Sequence, residues 1–238
     1  MSNSQSLQLC LPDKMTELKD KVALITSATS QIGKVYVKHL LQHGVKVALC
    51  DIDFEACQSS ANEFANVFGN ESVLALEYSI ADQEKLKRAF ISCINHFGRL
   101  DIVVNNTTEI RFKNDKDETN NAIMRTHHYV GIDQQGEVVN GTLLAIEYMG
   151  APNGGNGGTV VQTTNSTATS VVVKYTQVIG DTQSSHYLNI KFMTLDPIHV
   201  SDNVGKALIY ILEQGTTGQY WIVENEETLR LVVTADIN

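Results

Sequence analysis

The sequence predicts an α/β domain: one parallel sheet wound on both sides by helices. Three observations carry that expectation. Val22–Ile25 is a short apolar run without polar interruption, the pattern of a strand buried on both faces, and Val45–Cys50 and Asp101–Asn105 are further largely apolar runs. Between them stand segments with apolar residues at helical spacing, such as Tyr36, Val37, Leu40 and Leu41, or Leu86, Ala89, Phe90, Cys93 and Ile94. Strands alternating with helices in this way build a doubly wound sheet. The third observation is local: residues 22 to 51 form a strand, a small polar loop, a helix opened at Gly33, and a second strand that ends on an acid, Asp51.

Taken in order, residues 1–18 read as an N-terminal arm and 19–238 as a single domain. Strand one spans 21–26, helix one about 32–43, and Gly44 stops it before strand two at 45–50. Phe54–Phe68 is a helix with Cys57, Ala61, Phe64, Ala65 and Phe68 on one face, and Gly69 ends it. Val73–Tyr78 is strand three, Asp82–Phe97 a helix, and Asp101–Asn105 strand four. A mixed-charge loop at 109–121 leads to a long helix over 122–149, whose second half carries an apolar stripe of Val138, Val139, Leu143, Ile146 and Met149. The glycine-rich turn 150–158 precedes strand five, Thr159–Thr163. Val171–Gly180 is β-branched and poor in strong helix formers, so no long packed helix is expected there. Asn189–Leu195 is strand six, broken by Asp196-Pro197. Ser201 caps a helix over Val204–Glu213, and Gln219–Val223 is the last strand.

The bulk composition is that of an ordinary globular protein: 238 residues, 42% hydrophobic and 19% charged. A net charge of −9 argues against a nucleic-acid surface or an anionic membrane as main partner. No apolar run approaches the roughly 20 residues needed to span a bilayer. Met1–Leu11 lacks the basic start and apolar stretch of a signal peptide, so a cytoplasmic location is expected. Cys10, Cys50, Cys57 and Cys93 have no metal-type spacing and read as free thiols; His127-His128 point about 100° apart on a helix and do not make a joint metal site.

A strand–loop–helix–strand unit of this kind binds a dinucleotide when its loop is glycine-rich: the pyrophosphate sits on the helix N-terminus and the terminal acid takes the ribose hydroxyls; here the loop is glycine-poor. Several phrases point the same way. Lys21-Val-Ala-Leu-Ile-Thr26, Gly98-Arg-Leu-Asp-Ile-Val-Val-Asn-Asn106, Asn140-Gly-Thr-Leu-Leu-Ala-Ile-Glu-Tyr-Met149 and Gly218-Gln-Tyr-Trp-Ile-Val-Glu224 fall in the order seen in the short-chain dehydrogenase/reductase family, and resemble its branch of alcohol and prostaglandin dehydrogenases. The resemblance covers about residues 18–232 and implies a Rossmann-like sheet. It further implies NAD as cofactor, with Thr26, Gln31, Ile32, Gly33, Asp51 and Asn105 in the cofactor-binding positions and Asp51 favouring NAD over NADP. Family members pair as dimers or tetramers, so a homodimer is expected.

The motifs also depart from the family's. Its Thr-Gly-x-x-x-Gly-x-Gly becomes Thr26-Ser27-Ala28-Thr29-Ser30-Gln31-Ile32-Gly33, with Gln31 where the pyrophosphate should lie. Asn105-Asn106-Thr107-Thr108 replaces Asn-Asn-Ala-Gly. The family's catalytic Asn, Ser and Tyr-x-x-x-Lys fall on Gln134, Asn165 and Tyr175, with Thr164 or Ser166 as neighbouring hydroxyls and Ile179 at the Lys position. Tyr187-Leu-Asn-Ile-Lys191 spells Tyr-x-x-x-Lys but runs into strand six, where helical spacing fails. The lid after strand six is shortened, since Asp196-Pro197-Ile-His-Val200 goes almost straight into the last helix.

Two readings follow. In the first, the chain is a catalytically degenerate descendant with no cofactor and a structural, storage, carrier or regulatory role, the carrier taking a small apolar ligand in a cleft near residues 107, 164 and 196. In the second, it is an NAD-dependent oxidoreductase acting on a hydroxyl or carbonyl substrate through Tyr175 with Thr164 or Ser166.

Overall fold

The computed structural model describes residues 5–8, 17–79, 82–106, 136, 138–164, 169–181, 186–224 and 228–232. Nine strands form one sheet in the order β1-β9-β8-β7-β6-β5-β2-β3-β4. They are β1 (Gln5–Gln8), β2 (Val22–Ile25), β3 (Lys46–Asp51), β4 (Val73–Glu77), β5 (Ile102–Asn106), β6 (Gly158–Thr163), β7 (Ile190–Pro197), β8 (Tyr220–Val223) and β9 (Thr228–Val232). β2 to β8 are parallel; at one edge β9 runs antiparallel to both of its neighbours, β8 and β1. The helices are α1 (Gln31–Gln42), α2 (Phe54–Phe68), α3 (Gln83–Phe97), α4 (138–149), α5 (Thr169–Ile179) and α6 (Asp202–Gln214).

Alternation along each strand sorts the core into two layers. Ala23, Ile25, Val47, Leu49, Val104, Val161 and Leu195 face one side, where they meet Tyr36, Val37 and Leu40 of α1, Cys57 and Ala61 of α2, and Leu208 and Ile211 of α6. Val22, Leu24, Ala48, Cys50, Val103, Val160 and Phe192 face the other, against Leu86 and Phe90 of α3 and Ala145 and Met149 of α4. A strand buried on both faces has no polar position to spare, which is why these segments read as unbroken apolar runs.

The chain departs from the sequence expectation in four places. The strand expected to be last is followed by β9, which returns antiparallel and pairs Trp221 with Leu231 and Val223 with Leu229. β7 does not stop before Asp196-Pro197 but runs through Pro197, opposite Val223, where a strand's last residue tolerates a missing N–H. Residues 169–179 do form a helix. Val172 and Val173 bury on it, and Thr176 donates its hydroxyl to the Val172 carbonyl at 2.8 Å, so tertiary packing overrides the poor propensity of the β-branched run. Within the segment read as an arm, Gln5–Gln8 adds the edge strand on β9, and Leu18 is buried in the core. Ser201 does sit at the α6 N-cap, though its side chain makes no capping bond. Cys50, Cys57 and Cys93 are buried free thiols.

α1 and α6 cross closely because Gly205 has no side chain: a Cβ there would overlap the His39 ring. His39 is buried, its Nε2 lies 3.0 Å from Asp202 Oδ1, and its Nδ1 has no partner. Burial, the larger effect, holds His39 below the ordinary histidine range despite the carboxylate, and a protonated ring would bury an N–H with no acceptor. His39, followed by Lys38 and Lys206, holds Asp202 far below the usual carboxylate range. Both shifts have the same sign for stability. The unfolded chain takes up protons that the folded one refuses, so stability is complete above about pH 7 and falls as pH drops through the unfolded histidine value of about 6.5 and then the carboxylate range. His39→Leu should flatten the upper part of that slope, read as urea midpoints between pH 7.5 and 5.

Candidate functional site

β2 is the switch point of the sheet. The chain winds outward from it through β3 and β4 on one side and through β5 to β8 on the other, and ligands of open α/β sheets bind in the crevice beyond the strand ends at that point. Here the crevice lies beyond Ile25 and Asn106.

The loop from Thr26 to Ser30 is tied down on both sides. Asn106 donates its backbone N–H to Thr26 Oγ1 at 3.0 Å, and its Nδ2 reaches the Ser27 carbonyl and Ser30 Oγ, each at 3.1 Å. Ser27 occupies the first glycine position with φ +46, a left-handed conformation that costs a residue with a Cβ about 1 kcal/mol. Its hydroxyl lies 3.1 Å from the phenol of Tyr78, which turns the added side chain into a tether to β4's end. Ser30 is the N-cap of α1 and accepts from the Gly33 N–H at 3.0 Å. Gln31 and Ile32 then carry N–H groups with no intrahelical partner, the usual anion seat of a helix start. The Gln31 side chain is exposed to solvent. Gly33 packs on the turn itself: a Cβ there would stand 2.5 Å from the Ser27 carbonyl oxygen.

Asp51, at the tip of β3, is buried and bound to the same loop. Its Oδ2 accepts from the Thr29 N–H at 2.9 Å and the Thr29 hydroxyl at 2.7 Å, while Oδ1 takes only a long contact of 3.3 Å from the Asp53 N–H. The carboxylate is thus fixed with one oxygen heavily used and the other lightly used. These residues fit the adenosine and pyrophosphate half of a dinucleotide: a helix start, a glycine packed on the turn, an oriented acid, and Asn106 Oδ1, a buried acceptor with no partner beside the loop.

A second polar run begins one residue earlier. Asn105 and Gln162 are cross-strand neighbours on β5 and β6, and Asn105 Nδ2 donates to Gln162 Oε1 at 3.0 Å. Gln162 Nε2 donates to Thr142 Oγ1 on α4 at 2.7 Å, and Thr142 Oγ1 donates to the Val138 carbonyl at 2.6 Å. Gly141 lets α4 come this close, since a Cβ there would overlap the Asn105 amide. Tyr175 is half-buried against Val138 and Val172, and burial raises its phenol above the ordinary value more than the Thr142 bond lowers it.

Of the residues singled out from sequence, Thr26, Gln31, Ile32, Gly33 and Asp51 meet at the loop, with Asn105 behind it, and Tyr175 packs against Val138 of α4 and Val172 of α5. Thr164 is buried at the end of β6, its N–H on the Leu195 carbonyl at 3.1 Å. Ile179 packs against the apolar layer of α3 and α4. Tyr187 is 72% exposed and Lys191 lies in β7, its ammonium toward the carbonyls of Leu212 and Gly215, so the two make no helical pair. Gln134, Ser166, Asn165, Thr107, Thr108 and the pair His127-His128 lie outside the described residues. Among the described residues, no group of three or more His, Cys, Asp or Glu is placed to hold a metal, and no helix is long and apolar enough to cross a membrane. Thr29, Tyr78, Thr142 and Gln162 were not foreseen as site residues. Only the strand register, which sets Gln162 opposite Asn105, carries a signal for them.

Comparison with known proteins agrees with this geometry. A family model described as short chain dehydrogenase matches residues 21–178. Mouse 15-hydroxyprostaglandin dehydrogenase [NAD(+)] is 36% identical over 144 residues, 59% of this chain and 48% of the relative. The human protein of that name is 36% identical over 145 residues with the same shares. A cyclohexanol dehydrogenase from Acinetobacter is 37% identical over 90 residues, 38% of this chain and 35% of that one. The chain therefore spans about half the length of the curated relatives it matches first. Among solved structures, a short-chain type dehydrogenase/reductase from Mycobacterium marinum superposes with a TM-score of 0.72 at 18% identity, covering 88% of this chain and 95% of that one. A hydroxysteroid dehydrogenase from Escherichia coli gives 0.68 at 18% identity over 87% and 96%. The two-layered parallel sheet, its switch-point loop and the family match over most of the domain make this chain a member of the short-chain dehydrogenase family of oxidoreductases.

Proposed function

We propose that this chain is an NAD-linked oxidoreductase that interconverts a secondary hydroxyl and a ketone on a largely apolar substrate. The observation that carries this reading is the hydrogen-bonded run behind the cofactor loop, Asn105 to Gln162 to Thr142, with Tyr175 packed beside it on Val138 and Val172. The relatives named for NAD and for 15-hydroxyprostaglandin or cyclohexanol support the cofactor and the substrate class.

In this reading Asp51 accepts from the adenosine ribose through its lightly used Oδ1 and repels a 2′-phosphate. The N–H groups of Gln31 and Ile32 receive the pyrophosphate. When bound, the nicotinamide supplies a two-electron hydride acceptor or donor. In oxidation the substrate loses a hydride from carbon and a proton from its hydroxyl, which Tyr175 oxygen receives. In reduction Tyr175 gives its proton to the alkoxide oxygen. The Thr164 hydroxyl, at the end of β6, would hold that oxygen, with Ser166 as the alternative.

A phenol raised by burial is held in its protonated form at neutral pH, ready to give a proton, and little of the phenolate that could take one is present. Ketone reduction should therefore run at neutral pH, while oxidation should climb steadily with pH towards the phenol value, above about 10, without a plateau between pH 7 and 9. Initial rates in both directions across pH 6 to 10.5 check this.

A second reading, a family member that keeps the nucleotide seat without turnover, is favoured by Ile179: an apolar side chain stands where the family places an ammonium. NADH absorbance with 15-hydroxyprostaglandin and cyclohexanol separates the two. NAD-dependent turnover supports the oxidoreductase; saturable NAD binding with no turnover of either alcohol supports the second reading.

The exposed Leu143 of α4 and Val171 and Val178 of α5 support pairing of two copies through these helices. Light scattering should give twice the 26.2 kDa chain mass; a clean monomer contradicts it. Free buried thiols at Cys50, Cys57 and Cys93 support residence in the reducing cytoplasm.

A further inference from the structure

Asp51 is the acid on which the nucleotide seat turns, and most of its accepting capacity is already taken. A carboxylate offers about four lone-pair sites on its two oxygens. Thr29 fills those of one oxygen: its N–H and its hydroxyl both donate to Oδ2, at 2.9 and 2.7 Å. Oδ1 receives the Asp53 N–H at 3.3 Å, and among the described residues no other donor reaches the carboxylate. An adenosine ribose brings two neighbouring hydroxyls, and a carboxylate open on both oxygens can accept both. Here Oδ2 is full, so one hydroxyl finds an acceptor in Oδ1 and the other finds none.

Thr29 does not give way by opening of the loop. Ala28 before it is fully buried, with its N–H on the Cys50 carbonyl at 3.1 Å. Ser30 after it caps α1 and accepts from Asn106 Nδ2 at 3.1 Å. The chain is held on both sides, and a β-branched side chain is stiff at χ1.

We propose that Thr29 is a positioning residue for cofactor selection: its hydroxyl stands in for one ribose hydroxyl on Asp51, so that the seat reads a single hydroxyl of the adenosine ribose. The two donors of Thr29 have separate parts. The N–H orients Asp51, and the hydroxyl sets how much of the acid is left for the ligand. The proposal deepens the oxidoreductase reading and rests on its nucleotide seat, but not on turnover.

The test is calorimetric titration of the full chain with NAD and with the two NAD analogues that lack the 2′- or the 3′-hydroxyl of the adenosine ribose. In the unaltered chain one analogue should bind about tenfold more weakly than NAD, the size of a lost hydrogen bond to a charged group, and the other within about twofold of NAD. Thr29→Ala should bind NAD about tenfold more tightly than the unaltered chain, and both analogues should then lose affinity relative to NAD. Thr29→Ser, which keeps the hydroxyl, should behave as the unaltered chain does. The analogue comparison in the unaltered chain needs no variant to fold. Thr29→Ala binding NAD no more tightly, or an unaltered chain that loses affinity with both analogues or with neither, would overturn the proposal. Flat isotherms throughout would overturn it together with the nucleotide seat. A flat isotherm confined to the unaltered chain and Thr29→Ser, with saturable binding in Thr29→Ala, would support it. Binding that follows these expectations without turnover of either alcohol would overturn the oxidoreductase reading alone.

Discussion

Gly33→Ala is expected to destabilise the fold by about 3 kcal/mol and to abolish dinucleotide affinity with it. The new Cβ would stand 2.5 Å from the Ser27 carbonyl oxygen and 2.8 Å from Ala28 Cα and O, all of them backbone. That backbone has nowhere to go. Ala28 is fully buried and its N–H is bound to the Cys50 carbonyl at 3.1 Å, while Ser27 already holds a left-handed φ. Relief therefore means shifting α1 away from β2 and opening the turn that presents the helix start. Gln31→Ala, one turn position away on an exposed side chain, should change stability by less than about 1 kcal/mol. Urea unfolding of both variants checks the contrast; equal midpoints would mean that the turn is looser than its packing implies.

Tyr175→Phe should lower NAD-linked turnover by about 10²- to 10⁴-fold, the usual share of a positioned acid or base, and leave NAD affinity unchanged. The phenol ring's packing against Val138 and Val172 is kept, so the loss reports the hydroxyl alone. Its counterpart is a gain. Ile179 lies four residues on, over the same helix face, and Ile179→Lys would bring an ammonium towards the phenol and lower its pKa. The oxidation profile should then move to lower pH with a higher neutral-pH rate. Some stability is lost, because Ile179 packs on an apolar layer. Steady-state rates against pH for the three chains test both directions. A phenylalanine variant with full turnover would remove Tyr175 from the chemistry.

The fold was legible where burial dictates residue type. Val22–Ile25, Val47–Cys50 and Ile102–Val104 lie between two helical layers, and nothing but an apolar run satisfies that position. Legibility failed where packing or pairing decides. Val171 to Val173 favour a strand locally, yet Val172 and Val173 are buried on a helix. β9 is an antiparallel return whose Thr-Leu-Arg-Leu-Val alternation is too short to stand out. The site divides the same way. Gly33 and Asp51 were readable because a glycine packed on a turn and an acid at a strand tip are local features. Ser27 and Gln31 were misleading as isolated letters: one is tethered to Tyr78 and the other points to solvent. The run from Asn105 through Gln162 to Thr142 joins β5, β6 and α4, and no spacing along the chain announces it.

Whether a loop stripped of two glycines still seats its nucleotide is measured most directly by calorimetric titration of the folded chain with NAD. The geometry predicts a saturable single-site isotherm with a dissociation constant on the order of micromolar, NADP binding more weakly because of Asp51, and loss of the signal in Gly33→Ala. A flat isotherm from folded protein, or tighter binding of NADP than of NAD, would contradict it.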